Sequence, residues 1–146
     1  MAKTVCKFLG ALFLIMGIVG FAVPDLMGAH LSTLHNIIHL VSGAAALYLG
    51  MRGSYPAARK FCLGFGIFYG LLGVAGLFMG HGVAGVAPHE HSSHMMKLIP
   101  GQLELGGVDH AIHIVFAALF IIGGMSKPRR IGDRVTSVID KAKVKL

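Results

Sequence analysis

The sequence predicts an all-α integral membrane protein: a four-helix bundle with antiparallel neighbours and both termini cytoplasmic. Three observations predict it. The chain of 146 residues is 55% hydrophobic and only 13% charged, about half the charged share of an ordinary soluble domain. Its apolar residues are gathered into four blocks, Val5–Val23, Leu34–Met51, Phe61–Met79 and Val108–Met125. Each is close to the ~20 residues a helix needs to cross a bilayer. The charged residues inside them, Lys7 and Asp109, lie near block ends. A soluble helical bundle fails as an alternative, because these helices carry no charged face to turn to water.

Taken in order, helix one runs over about 5–23 behind Lys3 and Lys7. That beginning also resembles a secretory leader. The following "AVPDLMGAH" offers no small-x-small cleavage site, so the segment reads as a retained span. Helix two covers 34–51 after "PDLMGAHLST", and helix three covers 58–80 after "RGSYPAARK". Connections this short make consecutive helices antiparallel neighbours. Residues 81–107 form a long external loop rich in glycine and histidine, read as lacking regular structure. Helix four covers 108–125 and closes a domain of residues 1–125.

The tail, 126–146, is basic. Ile131, Val135, Val138, Ile139 and Ala142 share one helical face, which describes an amphipathic helix on the cytoplasmic membrane surface. A frayed basic tail is the plainer alternative.

Charge sets the orientation. Lys3, Lys7, Arg52, Arg59, Lys60, Lys127, Arg129, Arg130, Arg134, Lys141, Lys143 and Lys145 fall on one side, 12 of the 13 basic residues, and Lys97 falls opposite. Basic residues stay on the cytoplasmic side, so the expectation is a multi-pass protein of the cell (inner) membrane. The net charge of +7 then reports topology and anionic lipid headgroups rather than nucleic acid.

Small residues are placed, not scattered. Helix three carries Gly66, Gly70, Gly73, Gly76 and Gly80, helix one Gly10, Gly17 and Gly20, and helix two Ser42, Gly43 and Ala46. Such faces let helix backbones approach closely in lipid. They serve the bundle interior, a homo-oligomer or a larger membrane complex equally well. Cys6 and Cys62 both fall at cytoplasmic helix ends. A reducing compartment argues against a structural disulfide there, and small apolar packing is the expectation.

Nine histidines are the most unusual feature, and all lie at or beyond the external boundary. His35 and His39 are four apart on helix two, and His110 and His113 are three apart on helix four. Such spacings put each pair on one face. The cost of polar groups in a span turns both pairs inward at one depth.

Two readings follow. Neutral imidazoles can hydrogen-bond with Asn36, Ser42, Tyr69 or Asp109 as a structural network. Alternatively His35, His39, His110 and His113 bind copper, zinc or haem. Redox or proton-coupled catalysis is weaker, because it needs an inward carboxylate or a bound quinone and the spans offer only Asp109 at an edge. In the loop, "HEHSSHMM" sets His89, His91 and His94 beside Glu90, Met95 and Met96. This is a second candidate tract for copper, nickel or zinc, against a plain solvated loop. No nucleophile elbow and no phosphate-cradling motif occurs. The expectation is therefore a structural or accessory membrane protein, or a subunit of a larger assembly, with metal or haem binding as the alternative.

The segment "LHNIIHLVSGAAALYLG" resembles the H-N-x-x-H-L-x-x-G signature of a bacterial membrane family called domain of unknown function 4383. "LGALFLIMGIVGFAVPDL" is similar to that family's glycine-rich first helix, and "DHAIHIVFAALFIIGG" to its closing Asp-x-x-x-His helix. The resemblance runs from about Phe8 to Gly124. It implies four helices and an integral membrane protein, and it brings no activity, substrate or cofactor. His35, Asn36, His39, Gly43 and His113 match its recurring positions, whereas the histidine-rich loop departs from it.

Overall fold

The computed structural model describes residues 1–79 and 95–127. Its elements are α1 (Ala2–Ala22), α2 (Thr33–Met51), α3 (Tyr55–Met79), a hairpin of β1 (Met96–Ile99) and β2 (Leu103–Leu105), and α4 (Gly107–Met125). All four helices are long and apolar enough to cross a membrane. At 1.5 Å per residue, even the 19 residues of α2 or α4 span about 28 Å. The predicted histidine tract (His89, His91, His94), His81 and the amphipathic tail lie outside the described residues.

The starts of α2, α3 and α4 and the end of α1 each have a local cause. Ser32 caps α2, its Oγ accepting from His35 N at 3.3 Å. Ser54 does the same for α3, accepting from Ala57 N at 3.3 Å, with Pro56 in the first turn where no amide hydrogen is needed. At α4 the cap is Gly106, whose N–H donates to Asp109 Oδ2 at 2.8 Å. Pro24, just past α1, cannot continue a helix.

The helices pack as two hairpins, α1 on α2 and α3 on α4, and α1 also touches α3 and α4. Although the α2–α3 turn is short, those two helices meet sparingly. This qualifies the expectation that consecutive helices are close neighbours. The small residues explain the pairing. A Cβ on Gly10 would lie 2.6 Å from Leu47 N, and one on Gly43 would lie 2.9 Å from Gly10 O. On the other pair, Gly66, Gly70, Gly73 and Gly76 all face α4. Among the described residues, the glycines named on α1 and α3 are thus occupied by contacts within the chain.

The interior has three levels. Ala2, Cys6, Ala58 and Cys62 fill one end. Aromatic rings fill the middle, where Phe13 lies 5.5 Å from Tyr69, 5.3 Å from Phe116 and 6.0 Å from Phe120 between centroids. Histidines fill the other end. Phe8, Ile18, Val41, Leu71, Phe78, Val115 and Ile122 point outward, a lipid-compatible exterior of a size that soluble monomers rarely expose.

The chain is mostly helical, and the hairpin adds regular structure to part of the external segment 81–107, which the sequence reads as an unstructured loop. Pro100 and Gly101 form its turn, Gly101 has φ 73°, and Gln102 N donates to Ile99 O at 2.9 Å. This is the geometry of a type II turn, with proline first and a left-handed glycine second. Ser32 Oγ donates to Gln102 O, which ties the hairpin to the start of α2.

A buried histidine triad as candidate metal centre

His35, His39 and His113 are buried, at 3%, 6% and 5% exposure. Each offers a ring nitrogen, and these three atoms lie within 4.8 Å of one another. The first two histidines come from successive turns of α2, and the third from α4 of the other hairpin. Ring centroids stand 4.5 Å apart for His35 and His39, and 6.1 Å apart for His35 and His113.

Neighbouring rings hold the triad. Phe13 stacks on His39 at 5.4 Å with an interplanar angle of 15°, and Tyr69 meets His113 edge-on at 4.9 Å. His35 is fixed by a hydrogen bond, its Nδ1 donating to His30 O at 2.9 Å. A carbonyl only accepts, so Nδ1 carries a proton, and in the neutral ring Nε2 is the atom with a lone pair to offer. Metal-bound histidines show this same pattern, with the outer nitrogen held by a backbone carbonyl or carboxylate.

The polar groups do not satisfy one another. Among the described residues, Nδ1 of His39, Nδ1 of His113 and Oδ1 of Asn36 are buried without a hydrogen-bond partner. The expected partners are committed elsewhere. Ser42 Oγ donates to Ile38 O at 2.5 Å within its own helix, and Asn36 Nδ2 donates to Leu31 O at 3.1 Å. Asp109, 3% exposed, accepts at Oδ2 from Gly106 N at 2.8 Å and His30 N at 3.3 Å. A network whose purpose was hydrogen bonding would leave fewer buried nitrogens bare.

His110, the fourth predicted ligand, does not join. A three-residue step on a helix is 60° short of a full turn, and this offset turns His110 toward α3. There its ring fills the space a Cβ on Gly76 would need, and neither ring nitrogen has a hydrogen-bond partner. Phe13 packs on His39 and Tyr69 on His113, so a haem on these rings would have to displace both aromatic side chains. Of the second candidate tract, only Met95 and Met96 are described, and Met96 is buried in β1 opposite Leu105.

Three imidazoles suit copper or zinc. Around a tetrahedral ion with bonds of about 2.0–2.1 Å, ligand nitrogens stand about 3.3 Å apart. The triad would contract by roughly 1.5 Å at its widest to reach this geometry.

The family model described as Domain of unknown function (DUF4383) matches residues 3–106. His35, Asn36 and His39 lie inside that match, and α4 with Asp109 and His113 follows it. No curated protein and no solved structure matches the chain.

Proposed function

The chain belongs to the DUF4383 family, and we propose that it is a membrane-embedded transition-metal-binding protein that holds one ion on His35, His39 and His113. The observation that supports this most is the convergence of three buried ring nitrogens within 4.8 Å. Two of these rings keep an unpartnered nitrogen, and the third is oriented by a backbone carbonyl.

Charge selects among metals. Three neutral imidazoles leave the ion's full charge in an apolar setting, and the cost of burying charge rises steeply with its magnitude. Copper(I) is favoured on this ground. Zinc would need an anion in the fourth position. The role is that of an accessory metal holder rather than a catalyst, because the carboxylate of Asp109 is engaged with backbone amides.

The basic residues orient the site. Lys3, Lys7, Arg52, Arg59 and Lys60 lie toward the cysteine end, and the positive-inside rule supports reading that end as cytoplasmic and the triad as turned toward the exterior.

The test is metal content. Protein without a histidine tag is purified in detergent, loaded anaerobically with copper(I) and dialysed against a mild chelator. One equivalent per chain should remain, and the His39→Ala/His113→Ala variant should retain none. Failure of the folded parent to hold copper or zinc overturns the reading. The histidines then become packing groups of an accessory membrane protein.

A further inference from the structure

At the end of the bundle remote from the triad, two thiols are in contact. Cys6 of α1 and Cys62 of α3 have no exposed surface, and their Sγ atoms stand 3.3 Å apart. Each also lies 3.7 Å from a carbonyl across the helix interface, Cys6 from Ala58 O and Cys62 from Ala2 O. Because α1 belongs to one helical hairpin and α3 to the other, this contact bridges the two halves of the molecule.

We propose that Cys6 and Cys62 form a reversible intramolecular disulfide that ties α1 to α3, with a lipid-soluble quinone as the oxidant. A disulfide bond is about 2.0 Å long, so the sulfurs must close by roughly 1.3 Å. Rotation about the side-chain bonds supplies such a distance between atoms already in contact. Two S–H bonds break and one S–S bond forms. The two electrons and two protons pass to the quinone, which leaves as the quinol.

The oxidant class follows from the surroundings. Leu9, Phe13 and Phe120 share the buried cluster with the thiols, and that cluster lies inside membrane-length helices. An uncharged reagent dissolved in lipid can approach through that environment, whereas a charged water-soluble disulfide is excluded by desolvation.

The bond would close a loop whose ends are 56 positions apart. Its mechanical effect is to join the halves at the cysteine end, while the triad joins them at the other. Those ends are separated by about 21 Å along α1, from Cys6 to the Gly20 that faces Asn36.

The full-length chain is tested in lipid nanodiscs carrying duroquinone, a quinone without a free ring carbon for thiols to attack. After quenching and unfolding in detergent with an alkylating agent, the intact mass and the peptides are read. The proposal expects protein lighter by two hydrogens, unalkylated at both cysteines, with a linked Cys6–Cys62 peptide that dithiothreitol releases. Full alkylation of both cysteines after treatment overturns it, as does a link between chains in place of one within the chain. A bond formed by diamide but not by duroquinone overturns the assignment of the oxidant.

Discussion

Asp109 and His35 are joined through the backbone of one residue. Asp109 Oδ2 accepts the N–H of His30 at 3.3 Å, and the carbonyl of the same His30 accepts His35 Nδ1–H at 2.9 Å. The ring of His30 itself turns outward to Asp25, with Nδ1 to Oδ1 at 3.4 Å. The carboxylate on α4 therefore fixes the loop that sets the tautomer of a candidate ligand on α2. Replacing Asp109 by Asn keeps the shape and one acceptor oxygen but removes the charge that strengthens both N–H bonds, and it puts an NH2 donor in place of the other oxygen. Loss of such an orienting partner weakens metal binding by about 10- to 100-fold. Chelator competition should show this drop for Asp109→Asn, and retention equal to the parent would break the link between the two residues.

The four histidines predicted as equivalent should separate in their metal dependence. His113→Gln should abolish retention, because its ring nitrogen is one of the three that converge. His110→Gln should preserve the stoichiometry, since that ring is directed at Gly76 on α3. Metal analysis of the two purified variants decides the matter. Equal loss in both would place His110 in the coordination sphere and contradict the geometry.

Two glycines of α3 give opposite expectations for the same substitution. A Cβ at Gly76 would run into the His110 ring, whereas one at Gly64 would meet nothing within 4 Å. Gly76→Ala should destabilise the bundle by about 1–3 kcal/mol, the usual cost of overpacking. Gly64→Ala should be neutral or stabilising by about 0.5–1 kcal/mol, because alanine restricts the unfolded helix backbone. Thermal unfolding in detergent reads both.

Much of this was legible in the sequence because the bilayer imposes length and polarity on each span. The four blocks fix helix positions to within a few residues, and the i, i+4 spacing of His35 and His39 does place both rings inside. The hairpin is hard to see in the sequence because its strands are only four and three residues long and follow a stretch dense in glycine and histidine. Its signal was present in Pro100–Gly101 between Leu98–Ile99 and Leu103–Leu105. The separation of His110 from His113 was hidden because residues three apart share a face only approximately, and the packing of Gly76 decides which way the offset falls. The Cys6–Cys62 contact depends on how one hairpin rotates against the other, and no local pattern encodes that rotation.

The two ends of α3 and α4 are also linked by polar groups outside the core. Tyr55 OH donates to Ser126 O at 2.6 Å, and Arg59 Nε donates to Gly124 O at 2.7 Å, satisfying carbonyls at the end of α4. Tyr55→Phe should cost about 1 kcal/mol, the net contribution of one hydrogen bond. By contrast the hairpin pair Lys97–Glu104, at 3.8 Å with Lys97 46% exposed, should give less than about 1 kcal/mol when Glu104 becomes Gln. Denaturant titration of the two variants should rank them in that order.

Gly20 and Asn36 offer the strictest check on how α1 meets α2. The Asn36 amide is 1% exposed, and it fills the position a Cβ on Gly20 would occupy. Gly20→Ala alone should therefore cost about 1–3 kcal/mol by overpacking. Asn36→Ala alone removes the donor to Leu31 O and should cost about 1–2 kcal/mol. In the double variant the two methyl groups fit where one amide stood, so the clash disappears. The combined loss should fall short of the sum by about 0.5–3 kcal/mol, the coupling typical of residues in contact. Strict additivity in a detergent unfolding assay would mean that the two helices do not pack at this level as described. The seat of His35 and His39, one position before and three positions after Asn36 on α2, would then have to be redrawn.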